Sequence, residues 1–387
     1  MWELAFLLLP VAALSGWYVG KQTKINQNSE KQSLSPQYFA GLNYLLNEQP
    51  DKAIDVFLQV LDLDDEMLET HLTLGNLFRK RGEVERATRI HQNLLARPTL
   101  SKDYRILIKL ELAKDYISAG VLDRAEKLLL ELSNHREQLE SSLSYLVRIY
   151  QQGKDWEKAI KTAVKLQSIS QENLSATIAH FYCEMSEDAI LAHQYKVANK
   201  YLKMAMSINS NCARASILQG NLEQASGNFK AALKAYKRVG DQNSSLVSEV
   251  ILKIGQCYDS LGDPQGMLTY LQDSSKKNAN ILTVVIFSDW LSGIKDGQKA
   301  LKFIYDHLRK DPSIRGLNKI IQYNLSLARG QLRQDLQLLH DLIEDLFSNN
   351  PQYRCSNCGF SSRALQWHCP SCKHWDTLSP IETLSSP

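Results

Sequence analysis

The chain has 387 residues, room for two or three domains, and its 44% hydrophobic and 22% charged content is that of an ordinary globular protein. Lys and Arg number 45 against 42 Asp and Glu, and a net charge of +3 excludes a protein that works by broad neutralisation of phosphates, though not a local basic patch. Of seven cysteines, four are paired near the C-terminus and three (Cys183, Cys212, Cys257) are scattered; this excludes a secreted disulfide framework and points to a reducing compartment, with the scattered three as small buried hydrophobes.

The first expected element is a membrane anchor over residues 1–20. MWELAFLLLPVAALSGWYVG is apolar from Leu4 to Gly20. As a helix it would span about 28 Å, enough for a hydrocarbon core of about 30 Å. Trp2 at one end and Trp17 and Tyr18 at the other match the two headgroup belts. A cleaved signal peptide would carry positive charge before the apolar run, whereas Lys21 and Lys24 follow it. That order predicts an uncleaved single-pass helix with its N-terminus periplasmic and the body cytoplasmic. Small residues at Ala12, Gly16 and Gly20 share one face and would admit a second helix, so a homodimer is open. Residues 21–35 are polar and read as a juxtamembrane linker.

Residues 36–350 read as an all-α solenoid. LTLGNLFRKRGEVERATRIHQNLL sets the template, a helix–turn–helix of the tetratricopeptide type. Gly75 and Ala87 let the two helices touch, and Gly82 closes the first of them in the left-handed conformation. The pattern returns in LAKDYISAGVLDRA, LVRIYQQGKDWEKA and IGQCYDSLGDPQGM. Anchors at Ala53, Ala87, Ala125, Ala159, Ala198, Ala232, Met267 and Ala300 recur at 33–39 residues. The expected product is a superhelix with a long concave partner-binding face. First-helix residues not needed for packing would line it: Asn76, Arg79, Lys114, Arg148, Gln151 and Asn221. Their chemistry suits an extended acidic or C-terminal peptide. Beyond residue 312, Leu336, Leu338, Leu339, Leu342, Ile343 and Leu346 fall at helical spacing and predict a capping helix.

The last expected element, residues 351–378, is YRCSNCGFSSRALQWHCPSCKHW and its flanks, with a tail over 379–387. Cys355/Cys358 and Cys369/Cys372 form two CxxC pairs with ten residues between them. Two such turns close a tetrahedral four-thiolate shell around one structural ion, zinc or iron. The short gap points to a small rubredoxin-like or zinc-ribbon β module. So short a segment cannot bury enough surface to fold without its metal. Tyr353, Phe360, Trp367 and Trp375 would form either its small core or a docking face. His368 and His374 belong to the surroundings of the site, since four sulfurs already fill the shell. No HExxH, GxSxG, GxGxxG or GxxxxGK[ST] motif is present, so no catalytic residue is assigned and no enzyme is expected.

Anchor, repeat array and metal module in this order resemble the lipopolysaccharide assembly protein B family of Gram-negative bacteria. MWELAFLLLPVAALSGWYVG, LTLGNLFRKRGEVERA, IAHFYCE and YRCSNCGF…WHCPSCKHW carry the resemblance, which runs end to end. The resemblance implies an inner-membrane regulator of lipopolysaccharide synthesis. It implies an FtsH-type membrane AAA+ protease and the lipid A pathway deacetylase as partners, with lipopolysaccharide transport or synthesis proteins beside them. It also implies metal ligation by Cys355, Cys358, Cys369 and Cys372. Two other readings stand beside this adaptor: a rubredoxin-like electron carrier or redox/metal sensor on a repeat scaffold, and nucleic-acid binding through the ribbon. The second is disfavoured because the module has only Arg354, Arg363 and Lys373 against Asp376 and Glu382.

Overall fold

A computed structural model of the chain describes residues 65–277, 297–309 and 312–381, together with 40–41, 43–44, 52–53, 56, 284–286 and 288–289. The expected anchor at 1–20 and linker at 21–35 lie outside the described residues. Among the described residues, no helix is long and apolar enough to cross a membrane.

The repeat register dictates the helices. They come in pairs joined by tight turns: α1 (Asp65–Lys80) with α2 (Val84–Leu95), α3 (Lys102–Ser118) with α4 (Leu122–Leu132), and α5 (Leu139–Gln152) with α6 (Trp156–Ile169). Next come α7 (Ser175–Leu191) with α8 (Tyr195–Ile208), α9 (Ala213–Ala225) with α10 (Phe229–Gln242), and α11 (Val247–Leu261) with α12 (Pro264–Lys277). Then follow α13 (Gly297–Leu308), α14 (Ile314–Leu327) and α15 (Gln331–Asn349). The anchors Ala53, Ala87, Ala125, Ala159, Ala198 and Ala232 are each 0% exposed, so a methyl group is all the second helix can present there. Twelve residues earlier the first helix carries Gly75 and Gly220. A Cβ at either position would sit under 3.0 Å from the ring of His91 or Tyr236, which lies four residues past the anchor. The ring occupies the space that the missing side chain leaves.

The turns obey the same register. Five residues before six of the anchors the backbone is left-handed: Gly82, Gly120, Gly227 and Gly262, but also Lys154 (φ 56°) and His193 (φ 59°). The next N–H reaches back five residues, as in Glu83 N to Phe78 O (2.9 Å) and Asp155 N to Tyr150 O (2.9 Å), and closes the first helix.

Two compact units result, Met1–Tyr145 and Leu146–Pro387. The core of the first is built from Leu68, Leu72, Phe78, Ile90, Leu94 and Ile108. The second has one cluster around Ala179, Cys183, Leu202 and Cys212, and another around Tyr236, Val250, Ile254 and Leu271. The three scattered cysteines are all buried. α15 packs on α14 through Asn318, which donates to Glu344 Oε1 (2.6 Å) and bonds His340 Nδ1 (2.8 Å). Its Leu338, Leu339, Leu342 and Leu346 are exposed.

The second unit ends in a three-stranded antiparallel sheet of order β2-β1-β3, from β1 (Tyr353–Cys355), β2 (Ser361–Ser362) and β3 (Leu378–Pro380). Tyr353 pairs with Pro380, so the sheet includes two residues that the expected boundary at 378 leaves to the tail.

Candidate metal centre and its docking face

The four sulfurs of Cys355, Cys358, Cys369 and Cys372 lie within 4.8 Å of one another. Two edges of the cluster, Cys355 to Cys372 and Cys358 to Cys369, are 3.7 Å. A tetrahedral ion with metal–sulfur bonds of about 2.3 Å requires sulfurs about 3.8 Å apart, whereas a disulfide requires about 2.0 Å. The cluster has the dimensions of a site for one metal ion.

Each CxxC turn is a copy of the other. Cys355 N–H donates to Phe360 O (2.7 Å) and Gly359 N–H to Cys355 O (3.0 Å); Cys369 N–H donates to His374 O (2.9 Å) and Lys373 N–H to Cys369 O (3.0 Å). The residue four past the first cysteine is left-handed in both, Gly359 (φ 76°) and Lys373 (φ 60°). Backbone N–H groups of Asn357 and Cys358 face the Cys355 sulfur, and those of Ser371 and Cys372 face Cys369, whose thiol burial nonetheless pushes up to about 11. A hydrogen bond joins the Cys355 sulfur to Thr377 Oγ1 (3.3 Å), and this contact lowers that thiol's pKa. The Asn357 side chain and the His374 backbone N–H hold Cys372 down to about 5. Donors aimed at sulfur favour the thiolate, which is the form that ligates a metal.

The aromatic residues divide between the two roles expected of them. Tyr353 and Phe360 pack against the buried Cys355, Cys369 and Leu378. Trp367 and Trp375 face the helices of the same unit. Trp375 stacks on His180 of α7, centroids 5.1 Å apart at 18°, and meets Phe181 edge-on at 5.9 Å. The Arg214 guanidinium of α9 lies 5.9 Å from the centres of both indoles. Arg214 is 3% exposed and ion-paired to Glu184 (2.7 Å) and Glu187 (3.0 Å). Its charge is thereby compensated before it meets the rings. Tyr353 donates its hydroxyl to Glu249 of α11 (2.7 Å). Leu365 and Trp367 pack against the cluster between α10 and α12.

Gln151, expected to bind a partner, belongs to this docking face. Its Oε1 accepts Trp375 Nε1–H (3.3 Å) and its Nε2 donates to His368 Nε2 (2.7 Å). Asn221 of the same unit accepts from Tyr236 (2.9 Å) and Lys253 (2.7 Å), and Arg148 is exposed. In the first unit, Arg79 is tied to Glu111 (2.6 Å), Asp115 (2.7 Å) and Asn76 (2.6 Å), and Lys114 to Glu111 (2.7 Å). Asp115 in turn bonds the buried His91 (2.5 Å). Burial works against the charge on Glu111, but Lys114 and Arg79 hold it below the usual carboxylate range. Asn76, Arg79 and Lys114 thus form a largely compensated polar network within their own unit. Sequence reasoning gave no role to His180, Arg214 or Glu249. The available signal was a histidine and an arginine at inward positions of first helices, where apolar residues are the rule.

A family model described as a rubredoxin metal binding domain matches residues 353–380, and a tetratricopeptide repeat model matches 70–102. A tetratricopeptide repeat protein of Parabacteroides merdae, solved as a crystal structure, aligns at 12% identity over 72% of this chain and 98% of its own, with a TM-score of 0.33. The chain is 36% identical to lipopolysaccharide assembly protein B of Haemophilus influenzae, over 98% of each chain. It is 38% identical to the protein of that name from Escherichia coli K12 over 386 residues, 99% of each chain. With a four-sulfur centre, repeat helices and kinship along nearly the full length, the chain belongs to the lipopolysaccharide assembly protein B family.

Proposed function

We propose that the chain is a non-catalytic adaptor, held at the inner membrane by residues 1–20 with its body in the cytoplasm, that regulates lipopolysaccharide synthesis. In this reading a linker over 21–35 joins the anchor to the solenoid of 36–350, and the metal module of 351–378 precedes a short tail. The adaptor brings the lipid A pathway deacetylase to an FtsH-type membrane protease. The kinship just described supports the pathway, and the repeat helices support a role in holding other proteins.

One observation carries the adaptor reading further than kinship does. The ribbon is fastened to α5, α7, α9 and α11 by Gln151, His180, Arg214 and Glu249. A four-sulfur shell leaves no position for a substrate, which argues against metal-assisted hydrolysis. What the metal supplies instead is rigidity: it fixes the two indoles against the helices and so makes helix and ribbon one surface. The outer side of the ribbon is the part of that surface offered to a partner.

The test is a pull-down from cross-linked membranes with the intact chain and with a Cys355→Ser/Cys358→Ser variant, the metal content of each being assayed. Recovery of the protease and the deacetylase by the metal-loaded chain alone supports the adaptor. Equal recovery by both forms would move partner binding to the helices and leave the metal centre to redox sensing.

A further inference from the structure

The second helices of three consecutive pairs in the Leu146–Pro387 unit carry cations in register. Two residues past the anchors Ala159, Ala198 and Ala232 stand Lys161, Lys200 and Lys234. Five past the anchor stand Lys203 and Lys237, and two before it Lys196 and Lys230. All are exposed. α8 has no acidic residue, and the exposed acids on α6 and α10 are Glu157 and Asp241. Among the described residues no carboxylate lies within 4.0 Å of the Lys200, Lys203, Lys230 or Lys234 ammonium groups.

The three helices are neighbours. Trp156 and Glu157 of α6 line one cleft with Val197 and Tyr201 of α8, and Arg238 of α10 donates to Met206 of α8 (2.7 Å). A register repeated on adjacent helices therefore sets the lysines in rows across one surface. Between the rows stand exposed apolar side chains: Val164 (51%), Val197 (38%), Met204 (37%) and, at the head of α8, Tyr195 (49%). The helices α8 and α10 carry lysine at both positions, whereas α6 has Glu157 two before its anchor, as α2 and α4 have Glu85 and Asp123 with Arg89 and Lys127 two past, so the cationic surface centres on α8 and α10.

We propose that this face of α6, α8 and α10 lies on the anionic phospholipid surface of the membrane. Charge complementarity selects an anionic partner. The interleaved apolar groups select a lipid interface over a nucleic acid. Lysines snorkel to the phosphates while Val164, Val197 and Met204 enter the headgroup boundary, whereas a nucleic-acid groove would call for a series of aromatic rings on which bases stack, and the exposed groups named here include one, Tyr195. The inference rests on the anchor at residues 1–20 only for bringing the body within reach of the bilayer.

The test uses the full chain in lipid nanodiscs, with a fluorescent non-natural residue at the exposed Ser207 of α8, which leaves the metal-ligating cysteines untouched, and a spin-labelled headgroup quencher. Co-elution with the discs reports the anchor separately from quenching, which reports the face. The expected result is quenching in phosphatidylglycerol-containing discs that is lost in phosphatidylcholine discs and falls with added salt. Each lysine near an anionic surface contributes about fivefold, so Lys200→Gln/Lys203→Gln/Lys234→Gln should weaken the contact about a hundredfold and bring quenching to the phosphatidylcholine level. These exposed substitutions leave the fold intact, which an unchanged circular dichroism melt verifies. Co-elution without quenching, or quenching indifferent to the three lysines, overturns the proposal. Retention of a single-stranded RNA by the same lysines with no quenching would overturn it in favour of a nucleic-acid face.

Discussion

The Trp375 indole lies on the His180 imidazole with 5.1 Å between ring centres and 18° between planes, and its Nε1–H is taken by Gln151. One side chain thereby joins the ribbon to α5 and α7. Replacing it with alanine removes an aromatic pair worth about 1 kcal/mol beyond burial, together with the burial of a partly buried indole, a total of roughly 2–3 kcal/mol. Trp375→Ala should keep its metal, because no ligand is touched, yet lose protection of the 349–353 segment from protease. Metal analysis and limited proteolysis of the same sample check this. Loss of metal together with docking would show that the ribbon folds only against the helices.

His180 also predicts a pH dependence. Burial, then Arg214 and His368, hold its pKa down to about 3 from 6.5. The unfolded chain takes up a proton as pH falls through 6.5 and the native site does not. The stability contributed here is therefore whole above pH 6.5 and is lost as pH falls toward 3, at about 1.4 kcal/mol per pH unit. His180→Phe keeps a ring against Trp375 and removes the proton. Urea unfolding of the Leu146–Pro387 transition between pH 7 and about 5 should be less pH-dependent in the variant, by about one proton's slope. Identical slopes would mean that His180 is protonated in the native state.

Three thiolates hold a structural ion poorly, and the ribbon has little core besides its metal. Cys358→Ser or Cys372→Ser should lose the ion and the ribbon's native fold together. Metal analysis with hydrogen exchange over residues 353–380 reads both. Retained metal at wild-type affinity in either variant would require a ligand outside the four sulfurs.

In the first unit Arg79 separates two roles. Asp115 is fully buried, with Arg79 and His91 as its partners. Arg79→Ala would leave that carboxylate short of its cation and should cost about 3 kcal/mol or more in a thermal or urea melt. A variant with unchanged stability and weakened partner capture would instead assign Arg79 to a binding surface.

The helix pairs and the metal centre were legible because both depend on spacing. An anchor every 33–39 residues, alanine at all but Met267, and two CxxC turns survive any reading of tertiary structure. The ribbon's docking was not legible, because Gln151 and Trp375 meet across 224 positions of sequence. By register Gln151 reads as a first-helix residue not needed for packing and open to a partner; that its partner comes from the same chain is a tertiary fact. The leucines of α15 show the opposite limit. Their helical spacing predicts a helix, which is present, but Leu338 and Leu342 remain exposed, at 61% and 53%, because periodicity records a face and not what covers it.

The turn of α5 into α6 shows that register prevails over residue preference, and it yields the last prediction. In LVRIYQQGKDWEKA the glycine comes one residue early. Gly153 is not left-handed, and Lys154, five before its anchor, takes φ 56°. His193 does the same at φ 59° between α7 and α8, where the other turns place Gly82, Gly120, Gly227 and Gly262. A side chain in this conformation costs about 1 kcal/mol that glycine avoids, offset in part by the greater freedom of glycine in the unfolded chain. Lys154→Gly and His193→Gly should each stabilise the chain by about 0.5–1 kcal/mol and, being in separate turns, should add in the double variant. The control is Gly220→Ala, whose Cβ would press into Tyr236 under 3.0 Å and should destabilise by roughly 1–3 kcal/mol. Thermal melts of the four proteins decide the matter. A destabilised Lys154→Gly would mean that the lysine side chain makes a contact there stronger than the backbone strain it carries.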